Sequence, residues 1–264
     1  MKKFLSLFII VILLSSCSEF EKALKSEDID VKYKTAAKLF EAKKYSKALR
    51  LYEQIAPSFK GKPEAESMYY MYAQSYYNTG QFRSAAYQFE SYASSYPKSE
   101  KCEIASFYSA KCYTTLSPSF SLDQNDTDKA IDKLQNFIDT YPDSQYLQES
   151  NKLMKDLKFK LEKKSFEIAK QYNTISDFKS ALISFDNFIS DFPGTTFKED
   201  ALFYKLDSAY KLAVNSVPEK MEERLQNAKT AYVNLNKFTQ SSKHKKNADE
   251  MLASIDKELQ KFSK

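Results

Sequence analysis

Histidine is nearly absent from this sequence: of 264 residues the only one is His244, in the cationic stretch Ser242-Lys243-His244-Lys245-Lys246. Metal sites and nucleophilic triads usually draw on histidine. His244 is therefore read as an exposed surface residue, and no metal, cofactor or catalytic centre is expected. Glycine is almost as scarce, and Gly61, Gly80 and Gly194 are too scattered to form a phosphate-cradling loop. Cysteine is also too sparse for a disulfide framework. Cys102 and Cys112 are ten residues apart, about 15 Å along one helix, whereas a bridge needs Cα atoms within about 7 Å. Both are read as small buried apolar residues. Charge of one sign is missing too: the formal charge is +5, and runs such as Glu162-Lys163-Lys164 interleave the two signs as solvated helix faces do. Nucleic acid is excluded as a partner. Carboxylates are plentiful, but no spacing singles out an acid pair, and the chain is not expected to be an enzyme.

A long apolar run is the last thing missing. Residues 4–14, preceded by Lys2 and Lys3, make a run of 11, against about 20 needed to cross a bilayer, so residues 1–16 are read as a signal peptide. The run ends in Leu14-Ser15-Ser16-Cys17, which resembles the lipobox of bacterial lipoproteins. The resemblance implies cleavage before Cys17 and acylation of that residue, palmitate included. Several acyl chains on one residue would tether an otherwise soluble protein to the membrane. Ser18 is not the Asp that holds enterobacterial lipoproteins at the inner membrane, which favours the outer membrane. Residues 17–30 are polar, with little periodicity, and are expected to be a lipidated tether.

What the sequence has in abundance is helical periodicity. In the stretch from Tyr69 to Pro97, Tyr69, Tyr72, Ala73 and Tyr76 fall on one helical face. Gly80 interrupts, and Phe82, Ala85, Phe89 and Tyr92 resume the spacing. This is a helix-turn-helix hairpin in the order of residues typical of a tetratricopeptide (TPR) repeat. Its small residues belong where the two helices cross closely. The signature that opens the second helix recurs as Tyr45/Ala48/Tyr52 and Phe178/Ala181/Phe185, and more weakly as Thr127/Ala130/Leu134 and Leu225/Ala228/Tyr232. The fold class is therefore all-α, a TPR-like solenoid of about five hairpins. Closing pairs at Tyr96-Pro97, Tyr141-Pro142 and Phe192-Pro193 are followed by Ser99, Ser144 and Thr195, read as N-caps of the next helix. Residues 115–126 are read as a lengthened loop and residues 144–172 as one long helix. Residues 31–143 should hold hairpins 1–3, and residues 144–264 the long helix, hairpins 4–5 and a C-terminal capping helix. The stripe Ala248, Leu252, Ile255, Leu259 and Phe262 on that last helix suits either a cap or a partner surface.

First helices of a TPR solenoid line its concave side. Tyr70, Gln74, Tyr77 and Asn78, with Lys111 and Thr114 from the next hairpin, are the candidate peptide-binding groove. The alternative is a solvated face. Tyrosine suits the binding task, offering rigid apolar area with a polar tip. Tyr72, Tyr76, Phe89, Phe185 and Phe188 are read as core.

A lipobox, a short tether and about five TPR-like hairpins with Tyr-Pro-x-Ser endings resemble the BamD family, the TPR lipoproteins of the β-barrel assembly machinery (BAM complex). The resemblance runs from Cys17 to the C-terminal helix. It implies a lipid-anchored adaptor on the periplasmic face of the outer membrane. Its implied partners are a BamA-like β-barrel subunit and unfolded outer membrane proteins. Only Cys17 carries over residue by residue. The alternative is a TPR scaffold lipoprotein for another envelope process, cell-wall or polysaccharide assembly, with glycan binding more distant. On either reading Cys17→Ala should abolish acylation and release the chain from outer membranes on fractionation; a variant that still sediments as wild type does would show that lipid is not the main anchor.

Overall fold

The computed structural model describes residues 19–262, and among them no strand occurs. After a helical turn at residues 19–25 come α1 Ile29–Glu41, α2 Tyr45–Ile55, α3 Ala65–Asn78, α4 Phe82–Ser95, α5 Cys102–Leu116 and α6 Asn125–Thr140. They are followed by α7 Leu147–Thr174, α8 Phe178–Asp191, α9 Lys198–Val214, α10 Pro218–Phe238 and α11 Lys245–Leu259. Five successive pairs, from α1–α2 to α9–α10, are TPR-like helix-turn-helix hairpins, and α11 follows the last.

Three of the hairpins close with one turn chemistry. The residue two before the aromatic that opens the second helix is left-handed in each: Lys43 at φ 57°, Gly80 at φ 76° and Ser176 at φ 66°. The next amide then reaches back five residues, Lys44 N–H to Leu39, Gln81 N–H to Tyr76 and Asp177 N–H to Tyr172. This is the Schellman ending, which satisfies the orphan carbonyls of the first helix. The third and fifth hairpins depart from it. The third carries the loop between Leu116 and Asn125, and in the fifth α10 starts at Pro218, two turns ahead of Leu225. These are the hairpins in which the aromatic signature is weak.

Inside each hairpin the crossing is made at the signature alanine: Ala48, Ala85, Ala130, Ala181 and Ala228 are all 0% exposed. The aromatics expected in the core, Tyr72, Tyr76, Phe89, Phe185 and Phe188, are buried around the crossings. Both cysteines are buried on α5 and free; burial pushes the Cys112 thiol up to about 12.

Successive hairpins are also latched by a polar contact that repeats. In α3, α5 and α9 the second residue is acidic, and it accepts from a Ser that stands three residues before the helix two further on, α5, α7 or α11. Ser99 Oγ donates to Glu66 at 2.6 Å, Ser144 Oγ to Glu103 at 2.5 Å and Ser242 Oγ to Glu199 at 2.8 Å. In the first hairpin Lys62 replaces the Ser and reaches Asp30 at 2.8 Å. A carboxylate in the first turn is also favoured by the helix dipole.

These contacts correct the N-cap reading. Ser99, Ser144 and Thr195 accept from the amides of Lys101, Tyr146 and Phe197 at 3.0, 3.0 and 3.1 Å. Each thus caps a turn lying one turn ahead of α5, α7 or α9, and for Ser99 and Ser144 the hydroxyl proton is left for the latch. The tether reading also meets a difference, since residues 19–25 are helical and Phe20 is 2% exposed, flanked by Lys47 and Arg50 at 5.3 Å from its ring. Phe20, Ala23 and Leu24 stand at i, i+3 and i+4 and pack on the core of the first unit, a single helical turn's worth of period. Cys17 lies outside the described residues.

His244 is a further correction. Its ring stacks on Phe203 at 3.9 Å, its Nε2 lies 2.6 Å from Asp200 Oδ1, and only 18% of the side chain is exposed. Phe203 and Asp200 share a face of α9 three residues apart, offering a ring and a carboxylate together. Burial alone would raise the Asp200 carboxyl, but bonds from Lys243 and His244 hold it below the usual range.

The described chain divides into two compact units. One runs to Pro118 and resumes over Leu122–Leu157; the other comprises Ser119–Ser121 and everything from Lys158 on, so that the division falls within the 28-residue α7. The first unit has a continuous apolar core from Phe20 to Leu157. In the second, Phe166 and Ala169 pack with Phe185 and Phe188, while Leu206, Leu225 and Ile255 anchor a neighbouring cluster. A buried polar group there is satisfied, with Asn173 donating to Asp207 at 2.8 Å and Ser208 at 2.9 Å.

Because Ala85 is sealed in a crossing, Ala85→Leu should destabilise the fold by about 1–3 kcal/mol through overpacking. Thermal unfolding checks this, and an unchanged midpoint would remove Ala85 from the seam.

Candidate functional site

The six candidate groove residues all lie on the first helices of the second and third hairpins, α3 and α5. Repeat register explains their relation: Lys111 and Thr114 occupy in α5 the positions of Gln74 and Tyr77 in α3. Four of the six are brought into one strip. Tyr70 and Gln74 are joined by a bond from Gln74 Nε2 to Tyr70 Oη at 3.0 Å. Tyr77 meets Tyr108 edge-on at 4.9 Å, and Lys111 lies 6.0 Å from the Tyr108 ring and 5.5 Å from Phe107. Asn78 and Thr114 turn back on their own helices, donating to the carbonyls of Gln74 at 2.7 Å and Ala110 at 3.0 Å.

Tyr108, Lys101, Tyr146 and Glu149 extend the strip beyond the expected set. Lys101 sits 4.8 Å above the Tyr70 ring. Tyr146 stacks on Phe107 at 4.5 Å, and Glu149 on α7 accepts from Lys111 at 2.8 Å. Register carried from α3 to α5 finds Lys111 but passes over Tyr108, which lies one position off the Tyr70 register. Lys101 and Tyr146 precede their helices, outside any periodic pattern.

The rings of the strip are half-buried, which fixes them without hiding them. Tyr70 leans on Phe89 and Tyr92, and Tyr77 on Phe82 and Phe89. Burial raises both phenols above their ordinary value; the Gln74 bond eases Tyr70 and the Lys111 charge eases Tyr77. Both are hydroxyl donors and acceptors at neutral pH. For Lys111 burial lowers the value, but the Glu149 bond and nearby charges outweigh it and the group stays above its usual range. The arrangement offers aromatic edges, one amide and paired charges, the chemistry of polypeptide contact. Among the described residues no group of His, Cys, Asp or Glu could hold a metal ion, and no helix is long and apolar enough to cross a membrane.

A protein-family model described as YfiO, outer membrane lipoprotein, matches residues 26–225, from the approach to α1 into α10. The chain belongs to this family. The match agrees with the BamD-like resemblance and places the chain among outer membrane lipoproteins. No curated protein matches it. Solved structures similar to this YfiO-family chain include a Podosopora anserina protein of nearly identical TPR-like repeats from a kinesin light chain. It is 14% identical and covers 89% of this chain and 99% of that one, with a TM-score of 0.32. The TPR2AB domain of yeast Sti1, solved as its complex with pHSP90, is 14% identical over 86% and 98% of the two chains at a TM-score of 0.37.

The balance at Lys111 is testable. Glu149→Gln removes the largest single contribution that opposes burial, so the Lys111 pKa should fall. An NMR titration of the lysine side chains reads this directly, and an unmoved Lys111 would mean that Glu149 does not hold it.

Proposed function

We propose that the chain is a non-enzymatic, lipid-anchored adaptor on the periplasmic face of the outer membrane. It binds partner and client polypeptides during assembly and insertion of β-barrel proteins. A BamA-like β-barrel subunit and unfolded outer membrane proteins are its partners, and Cys17 carries the lipid. The observation that carries this reading is the tyrosine strip of Tyr70, Tyr77 and Tyr108 with Gln74 and Lys111, presented by a member of an outer membrane lipoprotein family. An extended chain has apolar side chains and unpaired amides to offer. Half-buried phenols meet both needs at small entropic cost, because their rings are already held by Phe82, Phe89 and Tyr92.

Co-purification tests the reading. The gently solubilised full-length protein should bring down a barrel-forming subunit and barrel clients. Tyr77→Ala should reduce client recovery by about tenfold or more, the loss expected of an interface anchor, while circular dichroism confirms that the variant is folded. Recovery of a cell-wall enzyme or a glycan in place of barrel proteins would favour a scaffold for another envelope process.

A further inference from the structure

A cleft of about 420 Å³ lies within the second unit, between residues 119–121 and the C-terminal half of α7. Phe120 forms one wall, with Lys163 Nζ 4.5 Å above its ring. The other wall is a single face of α7. Lys164, Ile168 and Gln171 follow one another there at spacings of four and three. Ile168 is 43% exposed. Lys170 also lines the cleft, 3.9 Å from Glu167. The ammonium groups of Lys163, Lys164 and Lys170 thus gather around a cleft that also holds Phe120 and the exposed Ile168.

We propose that this cleft seats an anionic phospholipid of a membrane surface. An acidic polypeptide would answer the lysines but leave Phe120 and Ile168 in water. A phospholipid supplies its phosphate and its acyl chain side by side, matching lysines that stand beside Phe120 and Ile168 in one cleft. Lysine stems can lie along the apolar surface while their heads meet phosphate. Membership of an outer membrane lipoprotein family puts a membrane within reach; otherwise the proposal is independent of the polypeptide-binding strip.

The sequence contains no tryptophan, so Phe120→Trp in the full-length chain creates a single fluorescent reporter in the cleft. Vesicles of phosphatidylcholine with phosphatidylglycerol, brominated on the acyl chains, should quench it, and rising salt should weaken the effect. Brominated phosphatidylcholine alone should quench it far less. Any acyl anchor brings the chain to both vesicle types alike, so the difference reports the cleft. Adding Lys164→Glu and Lys170→Glu should raise the lipid concentration for half-maximal quenching by at least about tenfold. Should that variant unfold at a lower temperature, Lys164→Gln with Lys170→Gln should shift the midpoint in the same direction by a smaller factor. Absence of quenching by the anionic vesicles, equal quenching by the neutral ones, or no shift in the folded variants would overturn the proposal. A spectral shift with polyglutamate but not with vesicles would overturn it in favour of an acidic polypeptide, and one with inorganic phosphate alone in favour of a soluble anion.

Discussion

Close helix crossing at a side chain no larger than a methyl group is the constraint on which the rest of this molecule depends. Ala48, Ala85, Ala130, Ala181 and Ala228 are sealed from solvent at the five crossings, and a second methylene layer at any of them would push the helices apart. Fixing the crossing fixes which face of each first helix turns outward. One hairpin cannot bury its face alone, and the acid at the start of a first helix, Glu66, Glu103 or Glu199, holds the Ser of the next junction in place. The apolar crossing sets the distance within a hairpin, and the latch sets the register between hairpins.

That latch also explains where the sequence could and could not be read. The crossings, the burial of Phe89 or Phe185 and the long helix over Leu147–Thr174 follow from periodicity, which the chain keeps almost without interruption. Of the three left-handed hairpin turns, only the one at Gly80 was announced by a glycine. Lys43 and Ser176 adopt the same left-handed geometry without a glycine to announce it. Reading Ser99 and Ser144 as N-caps starts the next helices one turn too early, and local spacing does not reveal the carboxylate 33 or 41 residues away that takes the hydroxyl proton. His244 was misplaced for a related reason. Its lysine neighbours argue for solvent, whereas the ring of Phe203 and the carboxylate of Asp200 come from a different helix.

The candidate site shows the same division. Tyr70, Gln74, Tyr77 and Lys111 fall together because repeat register predicts them, while Tyr108, Lys101 and Glu149 join through tertiary packing that no single period encodes. Asn78 and Thr114 lie on the expected face but each donates a hydrogen bond back to its own helix. The remaining groups share a physical character. Burial raises the phenols of Tyr70 and Tyr77, the Glu149 bond helps to raise Lys111, and each is pinned by aromatic neighbours on α4 or α5. A surface prepared in this way loses little freedom when a flexible chain settles on it, which suits an adaptor for unfolded polypeptides.

Hydroxyl-radical footprinting tests that central claim most directly. Tyr87 on α4 is 67% exposed and lies outside the strip, so it serves as an internal reference. With an unfolded outer membrane barrel protein bound to the full-length chain, oxidation should fall at Tyr70, Tyr77 and Tyr108 and stay constant at Tyr87. Unchanged oxidation along the strip, or protection confined to Tyr87, would contradict the account.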